Sequence, residues 1–356
     1  MGMFLPADRH GRFRNAGVVI CAAAVVYAVF VLSGCGYKDT RLAVDKKGRT
    51  VVERYGQLQV IGTNLCNSEG QPVQLRGMSS HGLQWHGKYA TPAVLGWLRD
   101  DWNSQVWRAA MYLTEGGYIT NPALRQRVID SIEAARETGV YVIVDWHVHR
   151  DRDPRAYQDR ALEFFAGIAK EYGHLPNIIY EICNEPNGSD VTWSGAIKPY
   201  AEAVIAEIRK YDPDNIIIVG TPTWSRDVDI AAEDPITSFN NILYTLHFYA
   251  GSHGDELRAK VEKALSLGLP IFVTEWGTTQ DTGGGGVFPE ETLEWMSFLK
   301  KNNISWVNWS VNNKGEDSGV LQFNVDREAK GGWKLEELSP SGVFIRSVLR
   351  NEKKIP

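Results

Sequence analysis

The sequence predicts an α/β fold: a (β/α)8 TIM barrel forming a single domain. Two observations carry that prediction. Short apolar, β-branched runs recur at 73–78, 105–111, 141–145, 178–181, 216–219, 242–248, 271–274 and 305–309. Runs this continuous belong to parallel strands covered on both faces. The segments between them carry helix start and stop signals, so strand and helix alternate to the end. Eight strands, seven crossovers and a closing helix fit a closed barrel. An open doubly wound sheet is the rival, but no Gly-x-Gly-x-x-Gly loop follows the first strand.

Taken in order, the chain opens on a targeting segment. Arg9, Arg12 and Arg14 precede an apolar run over 16–32, which meets Leu32-Ser33-Gly34-Cys35. A basic stretch, an apolar stretch and small residues before a cut are the parts of a signal peptide, here residues 1–35. The last four residues resemble a bacterial lipobox, which implies that Cys35 is lipidated and becomes the mature N-terminus. Gly36 after it resembles lipoproteins sent on to an outer membrane. One uncleaved membrane helix is the alternative, since the run approaches the roughly 20 residues needed to span a bilayer.

Residues 36–54 are charged and weakly patterned and are expected to be a tether, with the folded domain over 55–356. A hairpin comes next, its expected turn at Asn67-Ser68-Glu69-Gly70. Asn121-Pro122 opens a helix that stops at Gly139, and Asp153-Pro154 opens one running to Gly173. Further helices are expected over 192–211, 254–267, 289–302 and 340–351, with a short one at 227–232 after the fifth strand. Gly283 to Gly286 lacks the Lys-Ser/Thr ending of a phosphate-binding loop and is expected to be a flexible loop at the cleft rim.

Composition agrees with one large core. Of 356 residues, 43% are hydrophobic and 11% aromatic, which excludes a disordered chain. A formal net charge of -5 leaves no basic footprint, so nucleic acid is not an expected partner. Twelve Trp is a high count: most would be core, and a few would offer the flat apolar platforms that suit sugar rings. The four Cys make no zinc or redox spacing. Cys66 in the early hairpin and Cys183 high on a strand should lie near opposite ends of the barrel, too far apart for a disulfide.

In a barrel of this kind the C-terminal strand ends carry the chemistry. There the sequence puts Ser80-His81, Arg108 and Tyr112, His147, Asn184 and Glu185, His247 and Tyr249, Glu275, and Trp309. Alone, each reads as well in bland terms: Glu185 as a solvated loop charge, a single His as a structural residue, Arg108 as a neutraliser of a core carboxylate. Glu185 ends the fourth strand and Glu275 the seventh, so the two carboxyls face each other across the mouth. Glycoside hydrolysis uses such a pair: one carboxyl protonates the leaving oxygen and the other attacks or activates water. A separation of about 5–5.5 Å retains the anomeric configuration through a covalent glycosyl-enzyme.

The motifs at these ends are long and specific. They include Leu75-Arg76-Gly77-Met78-Ser79-Ser80-His81-Gly82-Leu83-Gln84-Trp85, Trp107-Arg108-Ala109-Ala110-Met111-Tyr112 and Val142-Ile143-Val144-Asp145-Trp146-His147. Ile179-Tyr180-Glu181-Ile182-Cys183-Asn184-Glu185-Pro186, His247-Phe248-Tyr249-Ala250-Gly251, Phe272-Val273-Thr274-Glu275-Trp276-Gly277 and Trp306-Val307-Asn308-Trp309-Ser310 continue them. On these strings the chain resembles, from about Val52 to Asn351, glycoside hydrolase family 5, subfamily 2, the bacterial endo-β-1,4-glucanases.

The resemblance implies Glu185 as general acid/base and Glu275 as nucleophile, kept ionised by Arg108 and oriented by Tyr249. Asn184 would bind the sugar 2-hydroxyl, and His147 and His247 would orient the two Glu. His81 and Tyr112 would contact the sugar next to the cut, Trp309 and Trp85 would stack on rings, and Lys314 and Glu316 would bind hydroxyls farther out. No cofactor or metal is implied. The implied partners are a β-1,4-glucan and a membrane reached through the lipid anchor, the expected state a monomer, and the expected place the cell envelope or the exterior.

There are departures. Cys183 stands where the family often has Ala, and Val311-Asn312-Asn313-Lys314 differs from commoner versions. His149 makes a His-x-His with His147, but further metal ligands on later strands are absent. The same chemistry on mannan or xyloglucan, and a non-catalytic glucan-binding lipoprotein, are the alternatives.

Overall fold

The structure, a computed structural model, describes residues 42–325 and 328–352. The segment expected to be a signal peptide with a lipobox, Cys35 included, lies outside the described residues. Two short antiparallel strands, β1 (Gln59–Ile61) and β2 (Asn64–Cys66), precede the barrel. The barrel strands are β3 (Arg76–Ser80), β4 (Val106–Tyr112), β5 (Tyr141–His147), β6 (Ile178–Glu181), β7 (Ile216–Val219), β8 (Ile242–Tyr249), β9 (Ile271–Gly277) and β10 (Ser305–Val311). All pair in parallel with their sequence neighbours, and β10 returns to β3 to close the ring. The open-sheet alternative is thereby excluded. Cys66 and Cys183 are both free and buried, as the strand placement required.

Alternation along these strands builds the molecule in layers. Outward residues such as Val142, Val144 and Trp146 pack in one large core with the surrounding helices. Inward residues at the N-terminal end, among them Val106, Tyr141, Ile143, Ile179, Ile218, Leu243, Phe272 and Val307, form a separate apolar floor. Both faces are covered, so the runs read as continuous apolar segments. One step higher the interior changes character: Arg108, Asp145, Glu181, Thr245 and Thr274 are all fully buried. The mouth lies above that polar layer.

The helices follow their signals. Arg125–Thr138 ends on Gly139 in the left-handed conformation, φ 69°, where a glycine costs least. Gln158–Tyr172, Asp255–Ser266, Pro289–Lys301 and Pro340–Arg350 stand where they were expected, and the short helix after β7 is Val228–Glu233. The expected 192–211 helix begins with a π-helical turn at Trp193–Ile197 before Lys198–Ile208. Pro92–Trp102 is a further helix beyond the expected set, capped by Thr91, which accepts from the N–H of Val94, with Pro92 in the first turn.

Two expectations need correction. The hairpin turns between Ile61 and Asn64, and the Asn67–Gly70 turn instead returns the chain from Cys66 to an isolated bridge with Pro72. The tether does not extend to residue 54. Thr50 and Glu53 form a capping box that opens the helix Val51–Tyr55. Val51 and Tyr55 are buried in the floor, and the Tyr141 hydroxyl donates to the carbonyl of Gly56 at 2.7 Å. At the same end, Gln105 Nε2 donates to the carbonyl of Leu42 and Arg76 Nη1 to Asn351 Oδ1. Both ends of the described domain therefore sit at the floor, opposite the mouth.

Candidate active site

Irregular backbone presents the two carboxyls. Thr245 pairs with Phe272 but His247 with Glu275, so β9 holds one residue more than its partner between those pairs. The pairing with β10 shows the same slip, Trp306 to Val273 and then Asn308 to Trp276. A bulge re-aims side chains, and here it lets both Thr274 and Glu275 face the interior. Opposite, the chain beyond β6 continues beside β5, the N–H groups of Asn184 and Glu185 donating to the carbonyls of Trp146 and Val148 at 3.2 and 3.0 Å.

Beneath the carboxyls, Arg108 is the hub. Its Nη1 donates to Glu275 Oε2 at 3.1 Å, its Nε to Glu181 Oε2 at 2.7 Å, and its Nη2 to Asn184 Oδ1 at 2.6 Å. Nη2 also lies 3.0 Å from Asp145 Oδ2. Burial alone would lower the guanidinium pKa, but Asp145, Glu181 and Glu275 more than offset it and hold the charge. Burial raises Glu181 in isolation, yet Arg108 and His247 bring it down to about 2, so it stays ionised. A buried guanidinium with fewer partners would cost several kcal/mol.

Each Glu has its own positioner. Tyr249 Oη donates to Glu275 Oε1 at 2.7 Å. Burial pushes the Glu275 carboxyl up, and Glu185 adds to that, while His247, Arg108 and the Tyr249 hydroxyl oppose it. His247 holds Glu185 Oε1 at 2.9 Å through Nδ1, and its Nε2 lies 2.9 Å from Thr274 Oγ1, which donates to Glu181 Oε1 at 2.6 Å. Burial disfavours a charged imidazole, but the carboxylates of Glu181, Glu185 and Glu275 outweigh it and push His247 up to about 9. The direct His247–Glu181 separation is 3.8 Å, so Thr274 carries that link.

His147 differs. Its Nδ1 meets Asp145 Oδ2 at 2.6 Å and its Nε2 faces Asn184 Nδ2 at 3.3 Å. Burial, then Arg108, hold it well below the ordinary value, so the ring is neutral. With Nδ1 donating to Asp145, Nε2 accepts from the Asn184 amide and fixes its orientation.

The mouth is an open cleft of about 520 Å³. Tyr112 stacks on His147 with centroids 4.1 Å apart, and His147 on Trp309 at 5.4 Å. His81 approaches Trp309 at 5.0 Å and Trp85 at 5.6 Å, and Trp85 is half exposed. Lys314 Nζ reaches His81 Nε2 at 3.0 Å, and Glu316 Oε1 comes within 3.6 Å of the same nitrogen. Burial, with Lys314 adding, lowers His81 to about 2 and keeps it neutral. Every residue expected to act in catalysis or in binding the sugar chain thus lies in or directly under this one cleft. Arg108 and Asn184 are the two beneath it.

The site also holds residues outside the strand-end set. Asp145, Glu181 and Thr274 form the layer under the carboxyls, and a charged side chain inside an apolar strand run was the available signal. Trp224 and Arg226 line the cleft after β7, and His253 after β8. The glycine loop lines the rim through Gly283, but it is tied on both sides rather than loose: Ser252 Oγ donates to Asp281 Oδ1, Ser318 N to Gly283 O, and Gly286 N to Asp317 Oδ2.

One carboxylate oxygen each from Glu185 and Glu275 and a ring nitrogen of His247 lie within 4.8 Å of one another. Distance alone would let the three hold a cation, but both nitrogens of His247 are engaged, one by Glu185 and the other by Thr274. An oxygen-to-oxygen approach within 4.8 Å places the pair nearer the closer glycosidase geometry, about 5–5.5 Å between carboxyl groups, than the 6.5–9.5 Å that leaves room for a water.

A parallel barrel bearing two close carboxyls in an aromatic cleft has the architecture of a glycoside hydrolase. The family described as Cellulase (glycosyl hydrolase family 5) matches residues 66–315. The chain belongs to glycosyl hydrolase family 5. It is 50% identical over 307 residues to Endoglucanase A of Evansella cellulosilytica, covering 86% of this chain and 62% of that protein. A solved structure from Cytophaga hutchinsonii superposes with a TM-score of 0.82 at 45% identity, covering 85% of this chain and 97% of that one. The endoglucanase catalytic domain of Thermobifida fusca, solved with cellotetraose, gives 0.79 at 41% identity and covers 84% and 99%.

Proposed function

We propose that the protein is a retaining endo-β-1,4-glucanase that cuts internal bonds of cellulose or mixed-linkage β-glucan chains. The observation that carries this reading is the placement of the Glu185 and Glu275 carboxylate oxygens within 4.8 Å in an open cleft lined by Trp85, Tyr112, Trp224 and Trp309. The names of the relatives, endoglucanases among them, and the cellotetraose held by one neighbour support the substrate class.

In this mechanism Glu275 attacks the anomeric carbon while Glu185 gives its proton to the leaving glycosidic oxygen. A water deprotonated by Glu185 then releases the sugar from Glu275, and the acid is restored. Arg108 and Tyr249 favour the ionised Glu275 that attack requires. The His247 cation supports the negative charge that alternates between Glu185 and Glu275 through the cycle. Asn184, held by Arg108 at Oδ1 and by His147 and the carbonyl of Val148 at Nδ2, would meet the 2-hydroxyl of the sugar being cut by sharing its amide with those partners. Trp309, Tyr112, Trp85 and the His81–Lys314–Glu316 group bind the non-leaving part of the chain.

The product profile on soluble β-glucans, mannan and xylan tests this. Oligosaccharides of mixed length from internal cuts of β-1,4-glucan are expected. Monosaccharide alone, or preference for mannan, would overturn it.

Export, with lipid attached at Cys35 and the domain working as a monomer, completes the proposal. Its support is the Leu32-Ser33-Gly34-Cys35 string after an apolar run. Mass spectrometry of the mature protein should show a lipid-modified N-terminal Cys, and a retained Met1 would refute the anchor.

A further inference from the structure

The cleft wall after β7 is built in an unusual way. Thr223, Trp224 and Ser225 follow one another in the left-handed region, with φ of 59°, 56° and 55°. Residues with a Cβ seldom adopt it, and three in succession persist only where neighbours hold them. Here the holder is the strap that carries Glu185. The N–H of Trp224 donates to the carbonyl of Pro186 at 3.1 Å, and the buried Ser225 Oγ donates to the carbonyl of Asn184 at 2.6 Å. Backbone on each side of Glu185 therefore sets the position of the Trp224 indole, which is 42% exposed in the cleft.

Chemistry decides which part of the chain meets that indole. An acid that protonates the leaving oxygen stands on the leaving-group side. Trp224 is hydrogen-bonded to the strap that carries this acid, whereas His81, Trp85, Trp309 and Lys314 cluster around β3 and β10.

Arg226 backs the platform. Its guanidinium carbon lies 5.2 Å from the centroid of the Trp224 ring, and its Nε donates to the carbonyl of Thr223 at 2.9 Å. Its Nη1 rests 3.1 Å from His253 Nε2. His253 Nδ1 accepts from the N–H of Tyr249 at 2.9 Å, so the ring proton sits on Nε2 and the Arg226 contact is packing. Burial, then the Arg226 charge, lower the pKa of His253 and keep that ring neutral. Arg226 Nη2 makes no hydrogen bond among the described residues, and Arg226 borders both the cleft and a second hollow of about 520 Å³ lined by Asp227, Ser252 and Lys260.

We propose that Arg226 is a positioning and specificity-determining residue for the leaving-group side. It covers one face of Trp224 so that the other is a fixed platform for the leaving sugar, and it offers Nη2 to a hydroxyl of the same glucan chain. The inference rests on the glucanase reading above. Lysine keeps the charge but not the planar stack, so it is a partial substitute.

The test compares two substrates, cellopentaose, which puts sugar on the leaving side, and β-cellobiosyl fluoride, which puts only fluoride there. Arg226→Ala is expected to lower kcat/KM about ten-fold more on cellopentaose than on the fluoride, in the range of a stacked cation and one hydroxyl contact. Arg226→Lys should recover part of that difference. The fraction of products longer than the substrate, formed when a second sugar chain replaces water as acceptor, should fall in Arg226→Ala. Equal losses on both substrates with an unchanged product ratio would overturn the proposal while leaving the glucanase reading intact. Wild-type protein inactive on both would overturn the two together.

Discussion

Tyr249→Phe removes one oxygen from the cleft and leaves the ring in place. Tyr249 is 9% exposed, and its hydroxyl gives Glu275 Oε1 a hydrogen bond of 2.7 Å. Arg108 binds the other oxygen, so Oε1 would lose its protein donor. A hydrogen bond to an ionised group contributes about 1.5–3 kcal/mol. At 1.36 kcal/mol per decade, kcat/KM on soluble β-glucan should fall about 10- to 150-fold. The pH profile carries a second signature. Burial raises Glu275 above its ordinary 4.5, while the Tyr249 hydrogen bond pulls it down. Without that bond the carboxyl rises further, protonates at higher pH, and the acid limb of kcat/KM moves toward neutrality. Measuring kcat/KM across roughly pH 4–9 checks both effects. A loss smaller than about two-fold, or an acid limb that stays put or moves down, would refute the reasoning.

Glu185→Gln and Glu275→Gln should each lower turnover of soluble cellulose derivatives by on the order of three decades or more. Only Glu185→Gln should still accumulate a covalent 2-fluoroglycosyl adduct by mass spectrometry when the leaving group is activated. His247, raised from 6.5 to about 9, contributes stability that is full below 6.5 and is lost as pH climbs through 9. Unfolding free energy should therefore drop by on the order of 3 kcal/mol over that window. Glu181→Gln, besides lowering stability overall, should flatten the drop in denaturant titrations, and an unchanged slope would dismiss the Thr274-bridged link. A Cβ at Gly220 would stand 2.4 Å from the carbonyl oxygen of Cys183 and 2.9 Å from Pro186 Cδ. Gly220→Ala should push on the Glu185 strap and reduce kcat at least ten-fold, in line with the cost of small misplacements in a site. Wild-type kcat in a folded Gly220→Ala would show that the strap tolerates the shift.

Strand order and the residues at the mouth were legible because buried parallel strands leave unbroken apolar runs, and because the strand-end motifs are long. The geometry that makes them a site was not. In a regular strand Thr274 and Glu275 would face opposite sides, and only the slip in β9 turns both inward. Asp145 and Glu181 passed as strand residues because their partner, Arg108, is 37 and 73 positions away. Trp224 belongs to no periodic pattern, and its left-handed neighbours show nothing in their residue types. Thr50 and Glu53, by contrast, were a readable capping box hidden in a stretch whose charges suggested a tether.

The placement of Leu42 and Asn351 at the barrel floor has a consequence for how the domain would work on an insoluble or bulky polymer. The chain therefore enters and leaves the described domain on the side away from the cleft. Neither described end crosses the mouth, so the rim of the cleft is left to the strand-end loops alone. A polymer too bulky to pass under the barrel could still lie across that rim and reach the two carboxyls.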